Sequence, residues 1–185
     1  MASDRTTRRL KEIEVYANPF VQIFDDEVVF PGGSQGRFIR IKAAMPGRGV
    51  VMLPLHAGRI GLVKTYRYPI GAWQWGLPRG FSHGSDETFS AQQELLEELG
   101  ASKVDLRRIG SVTPDSGLLE TTVAVFVADV AEDFASPIDT DEVAAVKWIP
   151  LSELWSLIAS GEINDGFTLA TIALAMSVGE LSRPA

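Results

Sequence analysis

The sequence predicts an α/β fold in which helices cover the faces of a mixed β-sheet. Its first half is divided by Gly- and Pro-containing turns into short β-branched segments, a pattern typical of strands. A helical period begins at Asp86, and the apolar run Thr121–Val130 is suited to a strand buried on both faces. Strands, one helix, more strands and two final helices, in that order, favour a sheet with helices packed on it.

The individual elements follow from periodicity and from the residues that end them. We expect strands at Val28–Phe30, Phe38–Lys42, Val50–Leu55, Ile60–Tyr66, Thr121–Val130 and Val143–Ile149. The segment His56–Arg59 predicts a hairpin loop. Ser85 is expected to cap a helix over Asp86–Leu99, which Gly100 ends. Two further helices, each followed by a glycine, are expected at Leu151–Ser160 and Phe167–Val178.

The composition excludes several kinds of site. The 185 residues contain 17 Lys and Arg against 24 Asp and Glu, a formal charge of −7, which disfavours binding to nucleic acid or anionic membranes. The chain has no cysteine and only two histidines, His56 and His83, so disulfides, thiolate zinc sites and cysteine nucleophiles are excluded. We find neither an apolar signal core nor a run of roughly 20 apolar residues. We therefore expect a cytoplasmic protein whose chemistry rests on carboxylates, hydroxyls, Lys, Arg and backbone groups.

Three glutamates share one face of the first predicted helix. Glu94, Glu97 and Glu98 stand at i, i+3 and i+4, where like charges repel. A hard divalent cation, which prefers oxygen ligands, would turn that repulsion into binding. The alternative is a solvated acidic face with Leu95 and Leu99 turned to the core.

The surrounding residues favour the metal site. The chain resembles the Nudix hydrolase signature, G-x5-E-x7-R-E-U-x-E-E-x-G-U with U apolar, through Gly80 and the run Glu94–Ala101. Upstream, Tyr66–Pro69 and Leu77–Phe81 resemble the segment by which the family approaches its signature. Downstream, Thr113–Glu120 and Gly161–Thr168 resemble the ADP-ribose pyrophosphatase branch of the family. The resemblance extends from about Val28 to about Met176. It implies an α/β/α sandwich over residues 46–185, preceded by a small N-terminal antiparallel β-ribbon within residues 1–45.

The signature is incomplete in its first half. Gly80 and Glu94 are 14 positions apart where the signature has 15, so its first glutamate falls on Asp86 or Ser85, with Glu87 as another nearby carboxylate. Gln93 replaces the signature arginine and keeps hydrogen bonding without the charge. Gly76 stands where many relatives carry an acidic residue.

The resemblance assigns roles to individual residues. It implies Mg²⁺, or Mn²⁺, held by the carboxylates and one carbonyl of Gly80, Glu94, Glu97 and Glu98. It places a general base on the loop before a late strand, where we prefer Glu142 over Asp141 and Asp139. A polar turn is the alternative for this loop. Glu120 is the second choice of base, and Glu97 is counted with the catalytic residues. Substrate contacts are expected from Arg67, Arg79 and Gly117, whereas packing is favoured for Trp73 and Trp75.

The implied reaction is hydrolysis of a nucleoside diphosphate linked to another group. ADP-ribose, giving AMP and ribose 5-phosphate, is the expected substrate, and GDP-mannose or another nucleotide sugar is the nearest alternative. A binding or regulatory module that has lost efficient hydrolysis is a third possibility, supported by the changes at Ser85 and Gln93. The resemblance also implies a homodimer, because in this branch the N-terminal ribbon, here about Lys11–Met45, commonly crosses to a partner subunit. The marginal stability of an isolated two-stranded ribbon agrees with that expectation.

Overall fold

The computed structural model describes residues 5–44, 47–81, 84, 86–131, 139 and 141–182. The chain divides into two compact units. The smaller unit contains Met1–Pro46 and Thr113–Thr121, and the larger contains Gly47–Val112 and Thr122–Ala185. The assignment of residues 1–45 and 46–185 to two separate domains, made from sequence, stays a prediction. No helix in the described part of the chain is long and apolar enough to cross a membrane.

The smaller unit is built on a long β-hairpin. Its strands are β1 (Arg8–Lys11), β2 (Glu14–Ala17), β3 (Val21–Val29) and β4 (Gln35–Ala43). β3 is central, with β4 antiparallel along one edge and β1 and β2 along the other. The predicted strand Val28–Phe30 is therefore only the end of a nine-residue strand, and Phe30 lies beyond it.

An ion-pair cluster explains why the acidic middle of β3 is tolerated. Asp26 is buried, and the Arg40 Nε donates to its Oδ2 at 2.9 Å. The Arg40 guanidinium also lies 4.1 Å from the centre of the Phe24 ring and pairs with Glu12 and Glu120. A buried carboxylate is tolerated when it is paired in this way.

The larger unit contains a seven-stranded mixed sheet and three helices. The strands are β5 (Val50–His56), β6 (Arg59–Arg67), β7 (Ala72–Gly76), β8 (Arg79–Gly80), β9 (Val104–Val112), β10 (Val123–Val130) and β11 (Val143–Pro150). The helices are α1 (Glu87–Leu99), α2 (Leu151–Ala159) and α3 (Gly166–Ser177), and a short 3₁₀ turn covers Tyr68–Ile70. The main sheet order is β11-β6-β5-β10-β9, with β7 paired to β6 and β8 to β5. Within the described part of this sheet, β5 and β10 pair in parallel and the other strand pairs are antiparallel.

Alternating side chains of the central strands form two apolar cores. Val51 and Leu53 of β5 belong to the core that includes α2 and α3, whereas Val50 and Met52 belong to the core beneath α1. This is the α/β/α arrangement expected from the sequence, and the fold class is confirmed. The expected burial of β10 is also confirmed, since seven of its eight residues are buried.

The structure corrects several local expectations. The N-cap of α1 is Asp86, whose Oδ1 accepts from the backbone N–H of Thr88 at 2.9 Å and Phe89 at 3.1 Å. It is not Ser85, which lies outside the described residues, as His83 does. Strands β1, β2, β7, β8 and β9 were not expected from periodicity.

Candidate active site

Helix α1 buries two of its three clustered glutamates. Glu94 and Glu98 are only 9% and 5% exposed, on the side of the helix that carries the buried Leu95 and Leu99. The third, Glu97, is half-buried. A solvated acidic face is therefore excluded for Glu94 and Glu98, and the burial of two adjacent carboxylates is costly unless something compensates their charge.

The Glu94 carboxylate lies directly against the backbone of Gly80 in β8. A Cβ atom on residue 80 would overlap the Glu94 carboxylate. Gly80 is held there by antiparallel pairing with Val50 of the buried strand β5. The carboxylate thus occupies the space of the missing side chain, and any larger residue at position 80 would displace it.

Glu98 is held by the neighbouring backbone. The Arg79 N–H donates to Glu98 Oε2 at 3.0 Å. Burial raises the pKa of Glu98 to about 8, and the charges of Glu94 and Glu142 add to this, while the Arg79 N–H and the Arg67 charge oppose it. A carboxyl group with this pKa is mostly protonated at neutral pH in the absence of a cation.

Arg79 is anchored by the start of helix α3. Its Nη2 lies 3.2 Å from Asp165 Oδ1, and its guanidinium carbon lies 4.2 Å from the centre of the Phe167 ring. Burial lowers the pKa of Arg79, Asp165 opposes that shift, and the charge of Arg67 reinforces it. Two guanidinium groups that disfavour each other's charge form a suitable place for an anion.

Asp165 also joins α3 to the end of β7. Its Oδ2 accepts from the Thr168 N–H at 2.9 Å and the Thr168 hydroxyl at 2.7 Å, and the Leu77 N–H donates to that hydroxyl oxygen at 2.9 Å. A Cβ atom on Gly76 would lie 3.2 Å from Thr168 Oγ1 and 3.4 Å from Asp165 Oδ2. Asp165 and Thr168 thus lie directly beside Gly76.

One pocket contains both Arg67, which the sequence analysis expected to contact substrate, and Glu142, which it expected to act as the general base. It has a volume of about 450 Å³ and is lined by Thr65, Tyr66, Arg67, Tyr68, Pro69, Trp73, Asp141, Glu142 and Ala144. The charges of Arg67 and Glu142 both act on Glu98, so this pocket lies within electrostatic range of that buried carboxyl group. Trp73 lies in the pocket, whereas Trp75 packs against the core.

The loop that carries Glu142 is tied to α1. The Asp139 N–H donates to the Glu97 carbonyl at 3.0 Å. Asp139 Oδ1 accepts from the backbone N–H groups of Asp141 and Glu142, both at 3.0 Å. Asp139 is therefore engaged in shaping the turn, while Asp141 and Glu142 are exposed.

Two predicted site residues belong to the smaller unit. Glu120 pairs there with Arg40, and the Gly117 N–H donates to Asp115 Oδ1 at 2.9 Å. In the larger unit, Asp86 caps α1, and Glu87 Oε2 lies 2.9 Å from Arg108 Nε. These two carboxylates, which could replace the missing signature glutamate, therefore have other partners. The functional roles of all these residues stay predictions.

Comparison with known proteins identifies the family. The NUDIX domain model matches residues 45–169, most of the chain. The chain belongs to the Nudix family. The Nudix pyrophosphatase class expected from the signature is confirmed, and the protein is a Nudix hydrolase of nucleotide-linked substrates.

Two further proteins are similar to this chain over nearly its whole length. A CMP-5'-(N-acetyl-N-hydroxy-3-aminopropyl)phosphonate hydrolase of Streptomyces rubellomurinus (strain ATCC 31215) is 24% identical over 172 residues, covering 92% of this chain and 82% of that protein. A crystal structure of an ADP compounds hydrolase aligns with a TM-score of 0.78 and 15% identity, covering 95% of each chain. The second likeness shows the shared fold.

Nudix hydrolases generally use divalent metal ions, and the donors here suit one. Glu94, Glu98 and the Gly80 carbonyl offer only oxygen atoms, which hard ions prefer. Within the described residues, no three acidic, His or Cys side chains converge closely enough to hold an ion alone. An ion bound by the two carboxylates would complete its shell with carbonyl, water or substrate oxygens, as Mg²⁺ commonly does.

The sequence did not indicate three other features of this Nudix site. Thr65 lines the pocket as a buried residue, and the exposed rings of Tyr66 and Tyr68 lie beside it. The third feature is the contact of Asp165 with Arg79. The sequence indicates Asp165 only as an N-cap, since aspartate is typical immediately before a helix. Its cap position does not predict that the Asp165 carboxylate also pairs with the Arg79 guanidinium.

Proposed function

We propose that this Nudix protein hydrolyses the diphosphate of a nucleoside diphosphate-linked substrate, with ADP-ribose giving AMP and ribose 5-phosphate. The observation that carries the proposal is the pocket that joins Arg67 and Glu142 next to the buried pair Glu94 and Glu98. It combines a cation for phosphate, an exposed carboxylate for proton transfer and oxygen donors for a metal ion.

Different residues of this chain are proposed to bind the metal ion and the phosphate groups. Glu94, Glu98 and the Gly80 carbonyl would hold Mg²⁺, or Mn²⁺, with Glu97 contributing. Such an ion, when bound, neutralises diphosphate charge and makes a bound water more acidic. Arg67 and Arg79 hold phosphate oxygens through their planar guanidinium groups.

Glu142 is the proposed general base. It accepts a proton from the water that attacks phosphorus, and the phosphorus–oxygen bond to the leaving phosphate breaks. The alternative base, Glu120, has its carboxylate paired with Arg40, which is why Glu142 is preferred. Gly117, on the same loop as Glu120, is proposed to contact substrate through its backbone.

A CMP-linked phosphonate is the second candidate substrate. It is favoured by the 24% identical relative, whose printed activity is on a CMP-linked phosphonate. The same phosphorus–oxygen–phosphorus linkage would be cleaved, so the proposed chemistry is unchanged. GDP-mannose and other nucleotide sugars differ only in the base and in the second group.

A substrate panel tests the proposal. Wild-type protein with Mg²⁺ is assayed for product release from ADP-ribose, GDP-mannose and a CMP-linked phosphonate. We expect Glu142→Gln to lower kcat by roughly 10²–10⁴, the usual contribution of a general base. Glu153→Gln, an exposed glutamate of α2, is the matched control and should retain full activity.

The outcomes separate the alternatives. Turnover of one panel member that is lost in Glu142→Gln supports the proposal and names the substrate. Full turnover in Glu142→Gln excludes this base. Nucleotide binding without turnover of any member would favour a regulatory module over an enzyme.

We also infer a cytoplasmic homodimer formed through the smaller unit. That unit exposes several large apolar side chains: Leu10, Val15, Tyr16, Phe20, Phe38 and Ile39. Exposed apolar surface of this kind marks interaction sites. Light scattering should give twice the chain mass for wild type and a single chain mass for Ile39→Glu, and a monomeric wild type would contradict the inference.

A further inference from the structure

Two residues that line the pocket, Thr65 and Arg67, each have a buried polar atom without a hydrogen-bond partner in the described part of the chain. Thr65 and Arg67 are alternate residues of β6 and therefore lie on the same side of the strand. Thr65 is only 7% exposed. Among the described residues, neither its Oγ1 nor the Arg67 Nε has a hydrogen-bond partner, and both atoms are buried.

Such atoms indicate a missing partner. Buried polar side-chain atoms in folded proteins nearly always have a hydrogen-bond partner, and leaving one unpaired is unfavourable. Here both unpaired atoms can donate, since a hydroxyl and a guanidinium N–H are donors. The complementary ligand therefore carries acceptor oxygens.

The rim of the pocket is aromatic. Tyr68 is 86% exposed and Trp73 is 53% exposed. The Trp73 ring is supported from the side by Tyr66, with ring centres 5.3 Å apart and planes at 64°. Exposed aromatic faces next to a cation are the surfaces on which nucleic-acid bases stack.

We propose that Thr65 is a substrate-binding residue and that this pocket holds a nucleoside monophosphate half of the substrate. The Thr65 hydroxyl and the Arg67 Nε donate to phosphate oxygens, and Trp73 with Tyr68 stacks on the base. The volume of about 450 Å³ lies within the range of small-ligand pockets. This inference rests on the proposed function for the identity of the ligand as a nucleotide.

Substitution of Thr65 gives the first test. Thr65→Val keeps the shape and removes the hydroxyl, whereas Thr65→Ser keeps the hydroxyl. Calorimetric titration with AMP and with CMP, in Mg²⁺, should show about tenfold weaker binding by Thr65→Val, as expected for loss of a hydrogen bond to a charged group. Thr65→Ser should bind within about twofold of wild type.

The unliganded variants separate this role from a structural one. Because the hydroxyl has no protein partner, Thr65→Val should melt at the same temperature as wild type or higher. Lower stability together with unchanged nucleotide affinity would overturn the proposal. Equal AMP and CMP affinities in Thr65→Val and wild type would overturn it as well.

Trp73 gives the second test, which concerns the base alone. Trp73→Ala should weaken AMP binding about tenfold, because stacking on an aromatic ring is lost. It should leave the affinity for ribose 5-phosphate, which has no base, unchanged, and Trp73→Phe should restore most of the AMP affinity. An equal loss for both ligands, or none for AMP, would contradict the stacking role.

The binding measurements and the hydrolysis assay can contradict the pocket assignment and the hydrolase proposal separately. If AMP binds through Thr65 but no panel substrate is hydrolysed, the hydrolase proposal fails and the pocket stands. If substrates are hydrolysed and Thr65→Val binds AMP as wild type does, the pocket assignment fails and the hydrolase stands.

Discussion

Glu98 shows how the surroundings of one residue can change its charge. Its carboxyl group is buried, accepts the Arg79 N–H and lies within the influence of two further carboxylates, so its pKa is raised to about 8. The ordinary value for a glutamate is 4.5. The metal-free protein therefore keeps a proton on Glu98 that the unfolded chain has lost at neutral pH.

The stability of the metal-free protein should fall with rising pH because of this group. Between about pH 4.5 and 8 the folded state binds the Glu98 proton and the unfolded state does not, so raising the pH through this window disfavours the fold. Glu98→Gln cannot titrate and should lack this component. The measurement is urea unfolding in EDTA at several pH values for both proteins. Parallel pH profiles would contradict the assigned pKa.

At the scale of elements, the contact between α1 and the Glu142 loop is the most consequential for the chemistry. Asp139 donates its N–H to the Glu97 carbonyl and accepts two N–H groups of the loop through its side chain. The helix that carries Glu94 and Glu98, the proposed metal ligands, thus also contacts the turn that carries the proposed base.

Removal of the Asp139 side chain should act through Glu142. We expect Asp139→Ala to lower kcat about tenfold with little change in KM, since effective base catalysis requires correct geometry. Asp139→Asn keeps an acceptor oxygen and should restore most of the activity. The check is a double-mutant cycle: Asp139→Ala should cost nothing further in Glu142→Gln, whereas additive losses would indicate a separate effect.

The sequence pattern predicted the elements that are either apolar throughout or have apolar residues at a regular helical spacing. β10 is nearly all apolar and α1 has a clear helical period, and both were found close to their expected bounds. Strand β9 was not predicted because Arg107 and Arg108 interrupt its alternation. The extent of β3 was not predicted because the acidic residues Asp25–Glu27 in its middle are typical of an exposed loop, although Asp26 is buried. Such exceptions depend on partners distant in sequence, such as Arg40 for Asp26.

The site was predictable only in part for the same reason. The spacing of Glu94 and Glu98 indicated a shared face, and the family resemblance selected Arg67 and Glu142, which line one pocket. Nothing local to Thr65 shows that its hydroxyl is buried without a partner. That property arises only when strand β6 and the Glu142 loop come together.

For the whole molecule, metal binding and folding should be linked. An ion held by Glu94 and Glu98 binds only the folded chain and stabilises it, by about 2.7 kcal/mol at a hundredfold excess over Kd. We therefore expect Mn²⁺ to raise the melting temperature of wild type and EDTA to reverse the rise. Glu98→Gln should show little shift, while Glu153→Gln should behave as wild type. Equal shifts in all three would place the ion elsewhere.

The hydrogen bond from the Arg79 backbone to Glu98 has a consequence for how this site can vary. The donor is a main-chain N–H, so nineteen of the twenty residue types could supply it at position 79, and only proline could not. The side chain there is free to acquire a different task without loosening the carboxylate. In this chain it carries a guanidinium anchored on Asp165. Position 79 thus makes two separate contacts, one from its main-chain N–H to Glu98 and one from its side chain to Asp165, and substitution of the side chain would leave the first contact in place.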